Sequence, residues 1–401
     1  IFLYFSSMSK QLVLLFSLVL LIVCGVSLQS SQSSNASAKN TEEQKGQVDS
    51  LLSWMSNLKD QSRQLRDEGK AIPAINKLSE VIDTRWREPN TNEEYEKLAW
   101  IYTNRAYLYH ESLGDFLAAK EDYLSALKQF ESCEPSDYLV ARYVYQPLGN
   151  IYTRLGENEI AISMLEKFKR VCEETGETEA LMNAYNDIGR AQMNTGEYME
   201  AIRWFEEGIE IDPSDNFNIG LLYSSKCQAE KDVKDFSASR NSAEKSLSFL
   251  DRVTSQTDSS DYHFIAARKY KIAVLQVLGA CDNHFGDSES AHAYYGESLS
   301  LAEKLLSDQH RARIRALVEL GKSYRALGKS FEAVQCYQLS LSSMFENVSA
   351  ASFGADIDKS ELFADVVLGE VLSEKAIVAH EIFQETGKQS WLNVSVKSYL
   401  T

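Results

Sequence analysis

YNDIGRAQMNTGEYMEAIRWFEEGIEIDP, residues 185–213, decides the fold. Apolar or small residues fall at Tyr185, Ile188 and Gly189, then at Ala201 and Phe205, with Gly196 between the two sets and Pro213 after them. Spacings of three and four put each set on one face of a helix. Gly196 suits a tight turn between two helices, and Pro213 suits the end of the second. The stretch therefore predicts a helical hairpin. Gly189 is small where the first helix passes its partner, and Ala201 is small where the second approaches.

The same order returns along the chain. One copy runs Tyr145, Leu148, Gly149, Tyr152, Gly156, Ala161, Leu165; another runs Leu275, Leu278, Gly279, Gly286, Ala291, Tyr295. A further copy is Leu317, Leu320, Gly321, Tyr324, Gly328, Ala333, Tyr337. Three copies are weaker. Gln61 to Ile82 keeps Gly69, Ala74 and Leu78, with Pro73 tolerable only in the first turn of a helix. Tyr102 to Leu127 keeps Ala106, Gly114, Ala119 and Tyr123, with one residue inserted before the turn. Tyr223 to Leu247 has Lys234 in place of the turn glycine and Ser239 in place of the alanine. Pro147 falls inside a first helix, which it should bend or delay.

These residues resemble the tetratricopeptide repeat (TPR). The 40 residues from Gly149 to Gly189 and the 42 from Gly279 to Gly321 exceed the usual unit of about 34, as in the long repeats of kinesin light chains. The resemblance implies an all-α fold, a TPR α-solenoid of about seven hairpins forming a right-handed superhelix, that binds a protein or peptide on its concave face. Lining that face would be Tyr143, Asn150, Arg154, Asn183, Asn186, Asp187, Arg190 and Asn194, whose asparagines could hydrogen-bond an extended peptide backbone. A carboxylate clamp known in part of the family would fall on Lys59, Arg63, Asn104, Tyr143 and Pro147. Only Lys59 and Asn104 match it, so the clamp is absent. The arrangement also resembles the long-TPR region that precedes a CHAT domain, a caspase-like cysteine peptidase module. On that alternative the chain is the regulatory half of a peptidase whose catalytic module lies outside it.

Composition agrees with a binding protein. The 41 basic and 58 acidic residues give a net charge of -17, which argues against nucleic acid as a partner. Only 5 prolines and 19 glycines leave long stretches free to be helical. No nucleotide, zinc-protease or nucleophile-elbow motif occurs, and the 6 cysteines and 6 histidines lack metal-ligand spacing. The reading is therefore of no enzyme, no cofactor and no metal.

Residues Leu12–Val26, LVLLFSLVLLIVCGV, follow Lys10 and precede a polar run from Ser27 to Asn40. That layout is a secretory signal peptide, with Met8 as the start. An uncleaved N-terminal anchor is the alternative, and would be the chain's one membrane contact. The expected organisation is 1–29 signal or anchor, 30–50 flexible linker, 51–253 N-terminal TPR units, 254–262 loop and 263–401 C-terminal TPR units, truncated within a longer protein. The product is expected to be exported, periplasmic or secreted.

Overall fold

The computed structural model describes residues 46, 49–85, 87–345, 347–354, 357 and 366–400. The signal segment Leu12–Val26 and most of the linker lie outside the described residues. Among the described residues there is no strand, and no helix is long and apolar enough to cross a membrane. The chain divides into two units, one ending at Ser136 and one running from Asp137 to Thr401.

The first unit contains α1 (49–67), α2 (Ala71–Thr84), α3 (Asn92–Tyr107, continued by a π-turn over Leu108–Leu113) and α4 (Phe116–Phe130). Pro73 does sit in the first turn of α2, where its missing N–H costs nothing. The residue inserted before Gly114 is absorbed by the π-turn, the local form of a one-residue helix insertion. Leu51, Met55, Leu78, Leu98 and Ile101 form the core of this unit. Arg105 on α3 is tied to Asp122 on α4 at 2.7 Å.

In the second unit α5 (Asp137–Val140) runs through a π-turn, Ala141–Tyr145, into α6 (Gln146–Leu155). The unit continues with α7 (Asn158–Thr175), α8 (Thr178–Asn194), α9 (Tyr198–Ile209), α10 (Asn216–Asp232) and α11 (Phe236–Gln256). It ends with α12 (Tyr262–Phe285), α13 (Ser288–Leu305), α14 (Arg311–Ala326), α15 (Ser330–Met344), α16 (Val366–Thr386) and α17 (Gln389–Leu400). Pro147 neither delays nor ends the helix. It falls in the first turn of α6 immediately after the π-turn, which already removes regular hydrogen bonding there.

Three expectations need correction. Helix α11 extends to Gln256, so the loop expected at 254–262 is only Thr257–Asp261. That connection does not divide the array, because Leu250 and Val253 of α11 pack with Ala267 of α12. The division between units falls instead at Ser136. The described residues also form eight hairpins rather than seven, since α16 and α17 pair through Gly387, a left-handed turn at φ 68°.

The two glycine roles separate cleanly. Gly156, Gly196, Gly286 and Gly328 have φ between 72° and 87°, the left-handed region that side chains disfavour. Gly149, Gly189, Gly279 and Gly321 instead give room to a second-helix side chain. A Cβ on Gly189 would lie 2.4 Å from the Phe205 ring, and one on Gly279 or Gly321 would lie 2.7 Å from Tyr295 or Tyr337. In the degenerate unit Lys234 keeps the turn at φ 65°, the one non-glycine at positive φ among the described residues. Lys234→Gly should therefore raise stability by about 1 kcal/mol. Urea unfolding checks this, and a loss of stability would refute the strain. Ser239 fills its alanine site by donating its hydroxyl to the Cys227 carbonyl at 2.8 Å.

The residue after each turn starts the second helix. Where it is aspartate, as at Asp115, Asp235 and Asp287, its carboxylate accepts the N–H three residues on. Glu157 and Glu197 hold the same position without a side-chain cap, their carboxyls being one methylene further out.

Candidate functional site

In the second unit each hairpin's first helix packs on the next first helix: α6 on α8, α8 on α10, α10 on α12, α12 on α14 and α14 on α16. Successive second helices have no comparable contact. Closer spacing on the first-helix side makes that the inner side of the solenoid. Counted from the close-approach glycine, residues six before, one after and five after project onto it. In the π-turn and α6 these are Tyr143, Asn150 and Arg154; in α8 they are Asn183, Arg190 and Asn194.

The structure divides the expected set. Tyr143 is 48% exposed, and Arg154, Arg190 and Asn194 are also exposed. Asn186 does not line the face: it is 2% exposed, and its Oδ1 accepts from the Ser225 hydroxyl at 2.7 Å. It stands three residues before Gly189, on the side of α8 turned toward α10. Asp187 is buried to 7% exposure, and its Oδ2 accepts from Gln146 Nε2 at 3.0 Å and Asn150 Nδ2 at 3.1 Å. Burial pushes the Asp187 carboxyl above its usual range, against the opposing pull of Arg190, the two amides and Arg142.

The asparagines were expected to meet a peptide backbone, but each already has an internal partner. Besides the Asn150 bond to Asp187, Asn183 Nδ2 donates to the Glu179 carbonyl at 3.0 Å and Asn194 Nδ2 donates to the Thr153 carbonyl at 3.0 Å. Asn150 and Asn194 thus stitch α6 to α8. The exposed guanidiniums of Arg154 and Arg190 lie beside that seam. Tyr270 of α12, half-buried, is near enough to feel the charges of Arg190, Asp187 and Arg154, and burial raises its hydroxyl pKa. Gln146 and Tyr270 were not in the sequence-derived set. Gln146 sits three residues before its glycine, the register of Asn186 in α8, on the side where its amide meets Asp187 of the next first helix.

The sign of the face reverses further along. Glu374, Glu381 and Glu385 stand six before, one after and five after His380, which holds the glycine's place in α16. With Lys322 and Arg325 of α14 they border a cleft of about 800 Å³. Arg325 bonds Glu381 at 2.7 Å and Glu374 at 3.3 Å, and Lys322 bonds both Glu319 and Glu370. Burial works against the Lys322 charge, but Glu319 and Glu370 outweigh it and hold its pKa above the ordinary range. Counting back from Gly387 would have found these glutamates in the sequence. No cluster of three or more His, Cys, Asp or Glu able to hold a metal occurs among the described residues.

A stacked row of helical hairpins with one continuous inner helix face defines a solenoid scaffold. Sequence profiles of the tetratricopeptide repeat match residues 101–132, 183–215 and 271–344, and the chain carries tetratricopeptide repeats. No curated protein matches it. Among solved structures it is similar to a tetratricopeptide repeat protein from Parabacteroides merdae ATCC 43184. That match has a TM-score of 0.50 and 15% identity, over 74% of this chain and 95% of the other. It is also similar to the apo form of RapI, with a TM-score of 0.51 and 12% identity over 75% and 97% of the two chains. A Rap protein complexed with competence and sporulation factor matches at a TM-score of 0.48 and 10% identity, over 87% and 96%. At these identities the likeness is one of fold.

Proposed function

We propose that this chain is a non-catalytic interaction scaffold that binds a partner peptide or domain along the inner first-helix face of its second unit. One observation carries the reading. First helices stack into a continuous face, and Tyr143, Arg154, Arg190 and Asn194 are exposed on it. A face carrying an exposed tyrosine and exposed arginines has the composition that anchors protein interfaces.

The test is site-specific photo-crosslinking in the full chain. A photoreactive residue at Tyr143 or Asn194 should give one dominant adduct, and one at Met199, 66% exposed on second helix α9, should not. Equal labelling from both sides, or none from the inner side, would refute the assignment.

We also propose, from Leu12–Val26, that the protein is exported. An alkaline phosphatase fusion after residue 50 should be active in the periplasm, and activity lost on deleting Leu12–Val26 would support export. An inactive fusion would count against it.

A further inference from the structure

We propose that the cleft between α14 and α16 receives a lysine or arginine side chain of the partner, its cationic group held by Glu374, Glu385 and the Tyr337 hydroxyl. This rests on the scaffold reading and gives the partner a chemistry at one end of the inner face.

The first ground is which polar groups of the cleft wall are already spent. All three guanidinium nitrogens of Arg325 donate to Glu381 or Glu374, and the Lys322 ammonium donates to Glu319 and Glu370. The Gln384 amide nitrogen meets His380 Nε2 at 3.0 Å. Glu385 is exposed, lines the cleft and forms no ion pair with a described residue. The donors are engaged while carboxylate oxygens are left over, so the group this wall can satisfy is one rich in N–H donors.

The second ground is charge. Five glutamates (319, 370, 374, 381 and 385) stand against Lys322 and Arg325. Two flanking lysines do not reverse the balance. Lys329 has its Nζ 5.9 Å over the Tyr324 ring and acts on His292 of α13, and Lys388 follows Gly387. With both counted, carboxylates still exceed cations by five to four. Lys375 is buried on the core side of α16, and burial alone acts on it. The last turns of α14 and α16 also line the cleft, through Ala326 and through Gln384 and Glu385, and add the partial negative charge of two helix C-termini.

The third ground, independent of charge, is Tyr337. It is fully buried, and its hydroxyl has no hydrogen-bond partner among the described residues. Its ring packs across Gly321 of α14, and the charges that act on it most are Glu374 and Arg325, both in the cleft wall. Burial raises its pKa far above the ordinary range, so the hydroxyl stays neutral. One hairpin earlier the equivalent hydroxyl, that of Tyr295, is bonded by Asn283, four residues after Gly279. Four residues after Gly321 stands Arg325, whose nitrogens are turned to glutamates instead. A buried hydroxyl left unbonded is costly, and a cationic N–H entering the cleft supplies the missing bond.

The test uses fluorescence anisotropy of the full chain with fluorescein-labelled hexalysine. Hexalysine should bind, and Glu374→Gln with Glu385→Gln should weaken it about tenfold or more. Glu207→Gln with Glu210→Gln removes the same charge from exposed positions on and just after second helix α9, and should leave affinity unchanged. Tyr337→Phe should weaken binding several-fold with no loss of stability in urea, a combination that a purely structural tyrosine would not give. If the double cleft variant does not fold by circular dichroism, Glu385→Gln alone should still weaken binding several-fold. No binding, or equal loss from the Glu207 and Glu210 pair, would overturn the proposal.

Competition by unlabelled spermine separates a peptide side chain from a free polyamine. Displacement by spermine at lower concentration than by unlabelled hexalysine would overturn the peptide source. A partner crosslinked from Tyr143 but indifferent to Glu385→Gln and Tyr337→Phe would overturn the cleft and leave the scaffold reading standing. Neither a crosslinked partner nor hexalysine binding would overturn both.

Discussion

Phe205→Ala should destabilise the protein by about 3–5 kcal/mol, measured by urea unfolding of the full chain. Phe205 is fully buried between its own hairpin partner and the next hairpin, packing with Met182, Ile219 and Leu222. Its ring lies where a Cβ on Gly189 would be, at 2.4 Å. Gly189→Ala should therefore also destabilise, by about 1–3 kcal/mol from overpacking. The pair should not add. Once Phe205 is truncated the new methyl enters the space the ring has left, so the double variant should be more stable than the sum of the single losses implies. Strictly additive losses would show that Gly189 is small for some reason other than Phe205. Hydrogen exchange should show the damage centred on α8–α10.

Lys375→Met should have the opposite sign and stabilise the chain. Lys375 is 4% exposed on α16, in line with Val371, Val378 and Ile382, which pack into the apolar core formed with α14 and α15. Burial alone pushes its ammonium down to about 8, with no other cause acting on it. The unfolded chain returns it to its ordinary value of 10.5. Below pH 8 the folded state must hold a buried charge, at a cost of about 3 kcal/mol by the linkage between pKa and stability. Between about pH 8 and 10.5 the unfolded chain binds more protons than the folded one, so this contribution to stability rises with pH through that window. Above it the lysine is neutral in both states and the penalty is gone. The methionine variant keeps the aliphatic length and should lack this rise. Denaturant unfolding at pH 7 and pH 10 measures both effects, and a variant no more stable than the parent at pH 7 would contradict the burial argument.

The hairpin fold was legible because glycine performs two separable jobs at a fixed interval, and Gly189 with Gly196 shows both within eight residues. Where another residue takes over a job, the pattern fades although the geometry survives. Lys234 adopts the left-handed turn despite its side chain. In α16 neither the glycine nor its aromatic partner is present, and His380 stands exposed in the glycine's place. The repeat pattern therefore does not mark that unit in the sequence. The inner helix face was legible only in part. Spacing identifies which residues leave a helix on its inner side, and of those Tyr143, Arg154, Arg190 and Asn194 are exposed. It could not foresee Asn186 bonding Ser225 across 39 residues, or Asp187 gathering two amides from α6. Those contacts depend on how far one helix is rotated against the next, a quantity that repeat spacing does not encode.

Among the described residues of the second unit, helix backbones pack chiefly on their own hairpin and its immediate neighbours. Among the described residues no comparable packing crosses from α6 to α14 to hold the curvature fixed, so the row should behave mechanically as a spring. Small changes in angle at each joint add along its length. A ligand gripping α6 and α8 would then be felt at α16 only as the accumulated flexing of the joints between, and the gap between these ends would be free to open or narrow to the length of what lies across it.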